Sequence, residues 1–359
     1  FLSAYSAVNQ GHCHPRIINS LINQSKKLTL TSRAFYNDKL GEYMEFTTKL
    51  FGYDRLLPMN TGVEAGETAI KLARAWGYQI KKVMKDKAVI LFAKNNFWGR
   101  TISACSSSTD PSCYTNFGPF TPGFELIEYN NLLELENKLK TNPNIVAYMF
   151  EPIQGEAGII IPDSNYMYKV KKLCEKYNVL MIVDEVQTGL GRTGKLLASD
   201  YNKVKPDILC LGKALSGGVL PVSAVLADTN IMNCISPGTH GSTYGGNPLA
   251  CSVAKKSLEV LIKENMINNS NKMGTLFRNG LRLIKSDLIK DIRGVGLFNA
   301  IEFNEKEIAE KLTKKLQDNG LLTKTTHDVT IRLCPPLVIN RKEIEQSLDI
   351  IEKSLIQIG

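Results

Sequence analysis

Residues 179–196 read "VLMIVDEVQTGLGRTGKL". Val179 to Val183 are apolar without polar alternation, and the run stops at Asp184. A short run of that kind is a strand buried on both faces. The turn that follows fits two phosphate-binding patterns in part. Gly189, Gly194 and Lys195 match a P-loop up to its last place, where Leu196 replaces the hydroxyl residue that holds magnesium. Gly189, Gly191 and Gly194 also spell G-x-G-x-x-G, with Asp207 at about the distance of a ribose-binding acid. From these residues alone, a nucleotide-dependent enzyme and a different chemistry beyond the strand end both stay open.

Outward from this stretch the same pattern recurs. "AVILFA" (88–93), "IVAYMFEPI" (145–153), "DILCLGKAL" (207–215) and "VSAVLAD" (222–228) are further short apolar runs. "ETAIKLARAWGYQIKK" (67–82) and "YMYKVKKLCEKYN" (166–178) carry apolar residues at helical spacing. Strands alternating with helices predict an α/β fold with a mostly parallel sheet covered on both faces. "NPLACSVAKKSLEVLIKENM" (247–266) predicts a long helix leaving that sheet. Beyond it, "IRGVGLFNAIEF" (292–303) and "TIRLCPPLVI" (330–339) read as strands, and residues 305–320 and 341–357 as helices of a smaller α+β unit. The expected division is a large domain over 6–252 and a small C-terminal domain over 253–359, with 1–5 the remnant of an N-terminal segment. No repeat or low-complexity linker separates them, so they are expected to pack closely.

At 359 residues the chain is long enough for two domains and a large core. It begins at Phe1 without an initiator Met and reads as a fragment, with any targeting peptide upstream. No apolar run approaches the roughly 20 residues that span a bilayer, so no membrane is expected. Forty-four Lys and Arg against 35 Asp and Glu give a net +9. The paired lysines are scattered rather than pooled, which describes a solvated surface and not a nucleic-acid footprint. Eight cysteines without a Cys-x-x-Cys suit a reducing intracellular compartment, and the cytoplasm is favoured over the mitochondrial matrix. No metal site is expected.

In open α/β sheets ligands bind beyond the carboxyl ends of the strands. There "IVAYMF" delivers Glu151, "VLMIV" delivers Asp184 and "DILCLG" delivers Lys213. Glu151 alone decides nothing, because an acid at a strand end is as often a cap or turn residue. Asp184 and Lys213 at corresponding places suggest a site that needs one carboxylate and one amine. Lys213 by itself could be a phosphate ligand, a surface residue or an amine that bonds an aldehyde. Pyridoxal phosphate needs a lysine for its aldehyde, a carboxylate for its ring nitrogen and backbone N–H groups for its phosphate. Thr61, Gly62 and Val63 open a helix whose first N–H groups and dipole favour a phosphate.

Six ordered motifs carry a family resemblance: "NTGVEAGETAIKLAR" (60–74), "NFWGRT" (96–101), "EPIQGEAG" (151–158), "DEVQTGLGRTG" (184–194), "LGKALSGG" (211–218) and "HGSTYGGNP" (240–248). They resemble the motifs of the class-III pyridoxal-phosphate aminotransferases, from "GHCHP" (11–15) to "RLCPPL" (332–337). The resemblance implies the fold-type I architecture, with a seven-stranded sheet in the large domain. It is strongest to members acting on ornithine, and Trp98 stands where acetylornithine and 4-aminobutyrate members usually carry His. The implied reaction moves the δ-amino group of L-ornithine to 2-oxoglutarate, giving glutamate-5-semialdehyde and glutamate. Acetylornithine or another ω-amine is the alternative substrate. Under this resemblance both nucleotide patterns become coincidence.

The resemblance also implies roles. Lys213 would bond the cofactor's aldehyde and then act as acid and base, while Asp184 pairs with the ring nitrogen. Phe97 and Val186 would sandwich the ring, and Gln187 would reach its phenolic oxygen. Gly62 and Val63 would lie at the phosphate, joined from a neighbouring subunit by Thr243 with Ser242 beside it, which implies a homodimer with shared sites. Arg100 and Arg332 match two carboxylate-binding arginines. Glu156 would cover Arg332 while ornithine is bound, and Tyr5 would line the ornithine pocket. Arg192, inside the glycine turn, reads as a surface salt-bridge partner.

One expectation comes from cysteine placement. Cys105 and Cys113 bracket "SSSTDPS", a polar stretch that reads as an exposed loop after "NFWGR". A flexible loop could bring both thiols within disulfide reach. Oxidation would then disturb Phe97 and Arg100, with a thioredoxin-type reductant as partner.

Overall fold

A computed structural model describes every residue from Phe1 to Gly359. Seven strands form the larger sheet: β1 (Arg55–Met59), β2 (Val89–Ala93), β3 (Phe124–Ile127), β4 (Ile145–Phe150), β5 (Leu180–Asp184), β6 (Ile208–Leu211) and β7 (Ser223–Ala227). Their order is β1-β7-β6-β5-β4-β2-β3, and only β7 runs against its two neighbours. The sheet is thus mostly parallel, as expected. Every residue of β4 and β5 is buried, which is why both read as unbroken apolar runs. β1 and β3 were not foreseen. They are the two edges of the sheet, where "RLLPM" tolerates Pro58 and "FELI" tolerates Glu125.

Helix α1 (Gly62–Gln79) connects β1 to β2. Its start is fixed by a capping box: the Thr61 hydroxyl accepts the Glu64 N–H at 3.3 Å, and the Glu64 carboxylate accepts the Thr61 N–H at 2.6 Å. Ala65, Ala69, Leu72 and Trp76 form its buried stripe.

The long helix expected over 247–266 is shorter. α2 (Pro248–Lys263) ends before Asn265, whose φ of +54° redirects the chain into α3 (Met266–Leu283). The expected boundary after residue 252 falls inside α2. The second sheet holds β8 (Ile289–Val295), β9 (Phe298–Phe303), β10 (Lys324–Thr326) and β11 (Thr330–Leu333), in the antiparallel order β10-β11-β9-β8. The stretch 292–303, read above as one strand, is a hairpin. Gly296 makes the turn at φ +57°, where an added Cβ would lie 2.3 Å from the Thr193 carbonyl carbon. β11 stops at Leu333 because Pro335 and Pro336 follow and cannot donate ladder hydrogen bonds.

The two sheets share one core. Leu209 and Leu211 of β6, Leu258 of α2, Phe277 of α3, Ile301 of β9 and Leu333 of β11 belong to the same buried cluster. Each side chain of this size contributes about 1.5–3 kcal/mol on burial, so close packing of the two units follows. No helix is long and apolar enough to cross a membrane.

The stretch between Cys105 and Cys113 is the expected exposed loop only in part: residues 107–110 are not helical and Asp110, Pro111 and Ser112 are exposed. It is bracketed by two short helices, Ile102–Ser106 and Pro111–Tyr114, capped by the side chains of Thr101 and Asp110. Ser107 is buried and accepts the Trp98 indole N–H at 2.8 Å. Both cysteines are free thiols, buried at 6 % exposure.

Candidate active site

The carboxyl ends of β4, β5 and β6 converge. Phe150 pairs with Val183 and Asp184 with Cys210, so Glu151 follows β4 beside Asp184, and Lys213 follows β6 two residues after Leu211. One oxygen of the buried Asp184 accepts the Val186 N–H at 2.9 Å. Burial pushes its carboxyl up to about 6, against the pull of that N–H and of Lys213. Lys213 has a left-handed backbone, φ +44°, which non-glycine residues adopt rarely and mostly where a site requires it. Burial pushes its amine down, while Asp184, Glu156 and Glu151 offset part of the shift.

Glu151, set aside in the sequence, organises this corner. Its two oxygens accept the backbone N–H groups of Phe97 and Gly155, each at 3.1 Å. Burial, then the charge of Asp184, pushes its carboxyl up to about 8. The side chain therefore ties the loop carrying Phe97 to the loop carrying Glu156. Its place beside Asp184 in parallel register was the available signal.

The start of α1 reaches the same corner. An added Cβ on Gly62 would lie 3.0 Å from Val186 Cγ1, and one on Gly212 would lie 3.2 Å from the same atom and 3.6 Å from the Gly62 Cα. Gly62, Val186 and Gly212 are thus mutually packed next to Lys213. The N–H groups of Gly62 and Val63, in the first turn, have no intrahelical acceptor. Phe97 is half-buried with the Arg100 guanidinium 5.7 Å from its ring centroid. Trp98 is core, stacked on Phe92 at 5.9 Å.

Near Lys213 lies an ion pair with its cation buried and its carboxylate half-buried. Arg332, at 1 % exposure, donates to Glu156 through two nitrogens at 2.8 and 3.1 Å. Gln187 joins it, donating to Glu156 at 3.1 Å and accepting from Arg332 at 3.4 Å. Burial pushes the Glu156 carboxyl up, but Arg332 and Gln187 outweigh it and hold the group below the ordinary glutamate value. The Tyr5 ring covers the pair, its centroid 5.3 Å from the Arg332 guanidinium carbon. Ser242 and Thr243 stand apart from Lys213. Ser242 accepts from Asn60 at 3.0 Å, and both residues line an open cavity of about 1410 Å³ together with Arg33, Arg55, Lys71 and His240.

Arg192 is not the surface salt-bridge partner expected. It is fully buried, and its partners are uncharged oxygens: the carbonyls of Leu297 at 2.9 Å and Pro335 at 2.6 Å, and Asn9 Oδ1 at 2.5 Å. Burial pushes its guanidinium down to about 10, which leaves it charged at neutral pH. The glycines around it serve contact between chain segments. Gly194, at φ +84°, approaches α3 so closely that an added Cβ would lie 3.1 Å from the Asn271 Cα. "GLGRTG" is therefore a latch between the large sheet and the second sheet, and its likeness to phosphate loops is coincidental.

The family model described as "Aminotransferase class-III" matches residues 1–355. The mitochondrial ornithine aminotransferase of Drosophila melanogaster is 61 % identical over 358 residues, covering 100 % of this chain and 83 % of the relative. Among solved structures, the ornithine aminotransferase of Toxoplasma gondii superposes with a TM-score of 0.98 at 50 % identity, covering 100 % of this chain and 86 % of that one. A second structure of the Toxoplasma protein, crystallized with oxidized glutathione, is described as having partial occupancy of PLP at its active site. A structure concerned with redox regulation of Plasmodium falciparum ornithine δ-aminotransferase matches at TM-score 0.90 and 47 % identity, covering 99 % of this chain and 88 % of that one.

Proposed function

The chain belongs to the class-III aminotransferases, and from that membership we propose that it transfers the δ-amino group of L-ornithine to 2-oxoglutarate, giving glutamate-5-semialdehyde and glutamate. The observation that carries this reading is the Glu156–Arg332 pair beside Lys213, its arginine buried. The two substrates are dissimilar, and a cation that can be covered for one and uncovered for the other lets one pocket serve both.

The cofactor of the family is pyridoxal 5'-phosphate, which supplies an aldehyde to bond an amine and a ring to draw electrons from the carbon attached to it. The residues fit it. Only one Asp184 oxygen accepts a backbone N–H, and the other suits a protonated ring nitrogen. The unsatisfied first-turn N–H groups of Gly62 and Val63 suit a phosphate. Phe97 and Val186 would hold the ring, with Gln187 at its phenolic oxygen. Lys213, its amine pushed down by burial and flanked by Asp184, Glu156 and Glu151, is placed to lose and regain a proton, as a general acid–base residue must.

For substrates, Arg100 and Arg332 would each take a carboxylate, and Tyr5 would line the ornithine side. Ornithine, bearing one carboxylate, would leave Glu156 on Arg332; glutamate would displace it. Glu156→Ala is expected to shift the preference between half-reactions toward glutamate by about ten- to hundredfold, the worth of one charge-assisted contact of about 1.5–3 kcal/mol. Rapid-mixing half-reactions showing an unchanged glutamate-to-ornithine ratio would remove the gate.

A large unit over 6–252 would hold the cofactor and a smaller one over 253–359 would bring Arg332. A homodimer would bring Thr243 and Ser242 to the neighbouring subunit's phosphate. Its support is the open cavity that they line and the exposure of Phe35, Tyr36 and Tyr244. A reducing intracellular compartment, the cytoplasm or the mitochondrial matrix, would keep the thiols free. Cys105 and Cys113 would pair on oxidation, with a thioredoxin-type reductant reversing it. The two short helices carrying them touch, but burial of both thiols means that the segment must open first. Activity should fall slowly under oxidant and recover with dithiol in the wild type but not change in Cys105→Ser; equal sensitivity would clear the pair.

A substrate panel tests the function itself. Free ornithine with 2-oxoglutarate should yield glutamate, and N-acetylornithine should react poorly. The reverse order would assign the chain to the acetylated substrate.

A further inference from the structure

Strand β10 is an edge of the second sheet, and its register places Lys324 opposite Arg332 of β11. Side chains alternate along a strand, and here the alternation separates two tasks. The Thr325 hydroxyl meets that of Thr313 at 2.8 Å, on the helix Lys306–Asp318. Lys324 and Thr326 face the ion pair instead. The Thr326 hydroxyl donates to the Glu156 carbonyl at 2.8 Å, which fixes the backbone of the residue covering Arg332. The Lys324 ammonium lies 3.4 Å from Tyr5 Oη and 5.7 Å from the centroid of the same ring that Arg332 approaches from within.

Exposure falls along this line. Lys324 is exposed, Tyr5 is 37 % exposed and Arg332 is 1 % exposed. The order from solvent inward is a cation, an aromatic ring and a second cation. Tyr5 is held between them by a backbone that its residues would not choose alone: Ser3, Ala4, Tyr5 and Ser6 all have left-handed φ, from +47° to +70°. The turn is fastened to the end of β11, where the Cys334 N–H donates to the Phe1 carbonyl at 2.8 Å and the Ser3 hydroxyl donates to the Cys334 carbonyl at 2.5 Å. The same strand thus carries Arg332, anchors Tyr5 and pairs with Lys324.

We propose that Lys324 is a specificity-determining residue, an outer cation that selects dicarboxylate substrates. The names of those substrates rest on the function proposed above. Ornithine approaches as a net cation, whereas glutamate is a net anion and 2-oxoglutarate a dianion. While Glu156 neutralises Arg332, Lys324 is the cation that an arriving dicarboxylate meets first at this mouth. It attracts the acid and repels ornithine. Its ammonium also occupies the oxygen of Tyr5, leaving the phenol proton to donate to a carboxylate. Attraction from an exposed charge is screened by salt over about 8 Å at physiological ionic strength, so this preference depends on salt.

The test uses the holoenzyme as wild type, Lys324→Gln and Lys324→Arg, in half-reactions with glutamate and with ornithine at low and high salt. Lys324→Gln is expected to lower kcat/KM for glutamate by about two- to fivefold, through KM, as befits one exposed charge contact. The ornithine reaction, relieved of repulsion, should not fall and should rise by up to about twofold, and the salt dependence of the glutamate reaction should flatten. Lys324→Arg, which keeps the charge, should restore both. Glutarate, a dicarboxylate that cannot react, should bind more weakly to Lys324→Gln by the same factor in calorimetry. Equal losses with both amino acids, or unchanged glutarate binding, would overturn the proposal. If the wild type fails to react with ornithine, the proposed function falls, and glutarate binding still decides the role of Lys324.

Discussion

Lys213→Ala is expected to lower transamination by about 10²–10⁴-fold, the usual worth of a positioned acid–base group, while the protein still binds pyridoxal phosphate without a covalent bond. Lys213 follows β6, has a left-handed backbone and is surrounded by Asp184, Glu151 and Glu156. No other lysine is flanked by the ends of both β4 and β5. Borohydride reduction of the wild type should fix the cofactor to the peptide containing "LGKALSGG", and the variant should give no labelled peptide. Label on Lys195, the lysine of the glycine turn, would overturn the assignment.

The second large effect concerns Arg192. Its guanidinium satisfies the carbonyls of Leu297 and Pro335 and the side chain of Asn9. These come from the hairpin after β8, the segment after β11 and the N-terminal region, so one side chain closes three segments over the glycine turn. Arg192→Ala leaves three buried acceptors without donors. Each orphaned acceptor costs about 1–3 kcal/mol, and part of that is offset because the buried, unpaired guanidinium no longer has to be desolvated. We expect a loss of about 3–5 kcal/mol in denaturant unfolding. Arg192→Lys should fare little better, because an ammonium cannot span three oxygens arranged for a planar fork. Full rescue by Lys would mean that charge alone matters there, contrary to the geometry.

Much of the scaffold was legible in the sequence because its physics is local. β4, β5 and β6 are buried along their length, which forces continuous apolar runs, and the residues at their ends point to the chemistry. β1 and β3 were missed because an edge strand need be neither apolar nor free of Pro. The hairpin at Gly296 was read as one strand because its glycine is defined by a contact with Thr193, not by its neighbours in sequence. Arg192 was misplaced for the same reason. An Arg beside glycines looks solvated until the three oxygens that enclose it are brought together by the fold. A polar stretch looks exposed throughout until Asp110 is found capping a helix and Ser107 holding Trp98. Lys324 lies on a strand of three residues with no apolar pattern to announce it. Its pairing with Arg332 exists only once β10 and β11 are aligned.

On the proposed function, this site takes an amine from ornithine and gives it to 2-oxoglutarate through Lys213 and pyridoxal phosphate. The most direct test is the visible absorption spectrum of the holoenzyme. Ornithine alone should abolish the cofactor band, and 2-oxoglutarate added afterwards should restore it with release of glutamate. A band indifferent to ornithine, yet abolished by N-acetylornithine, would contradict the account.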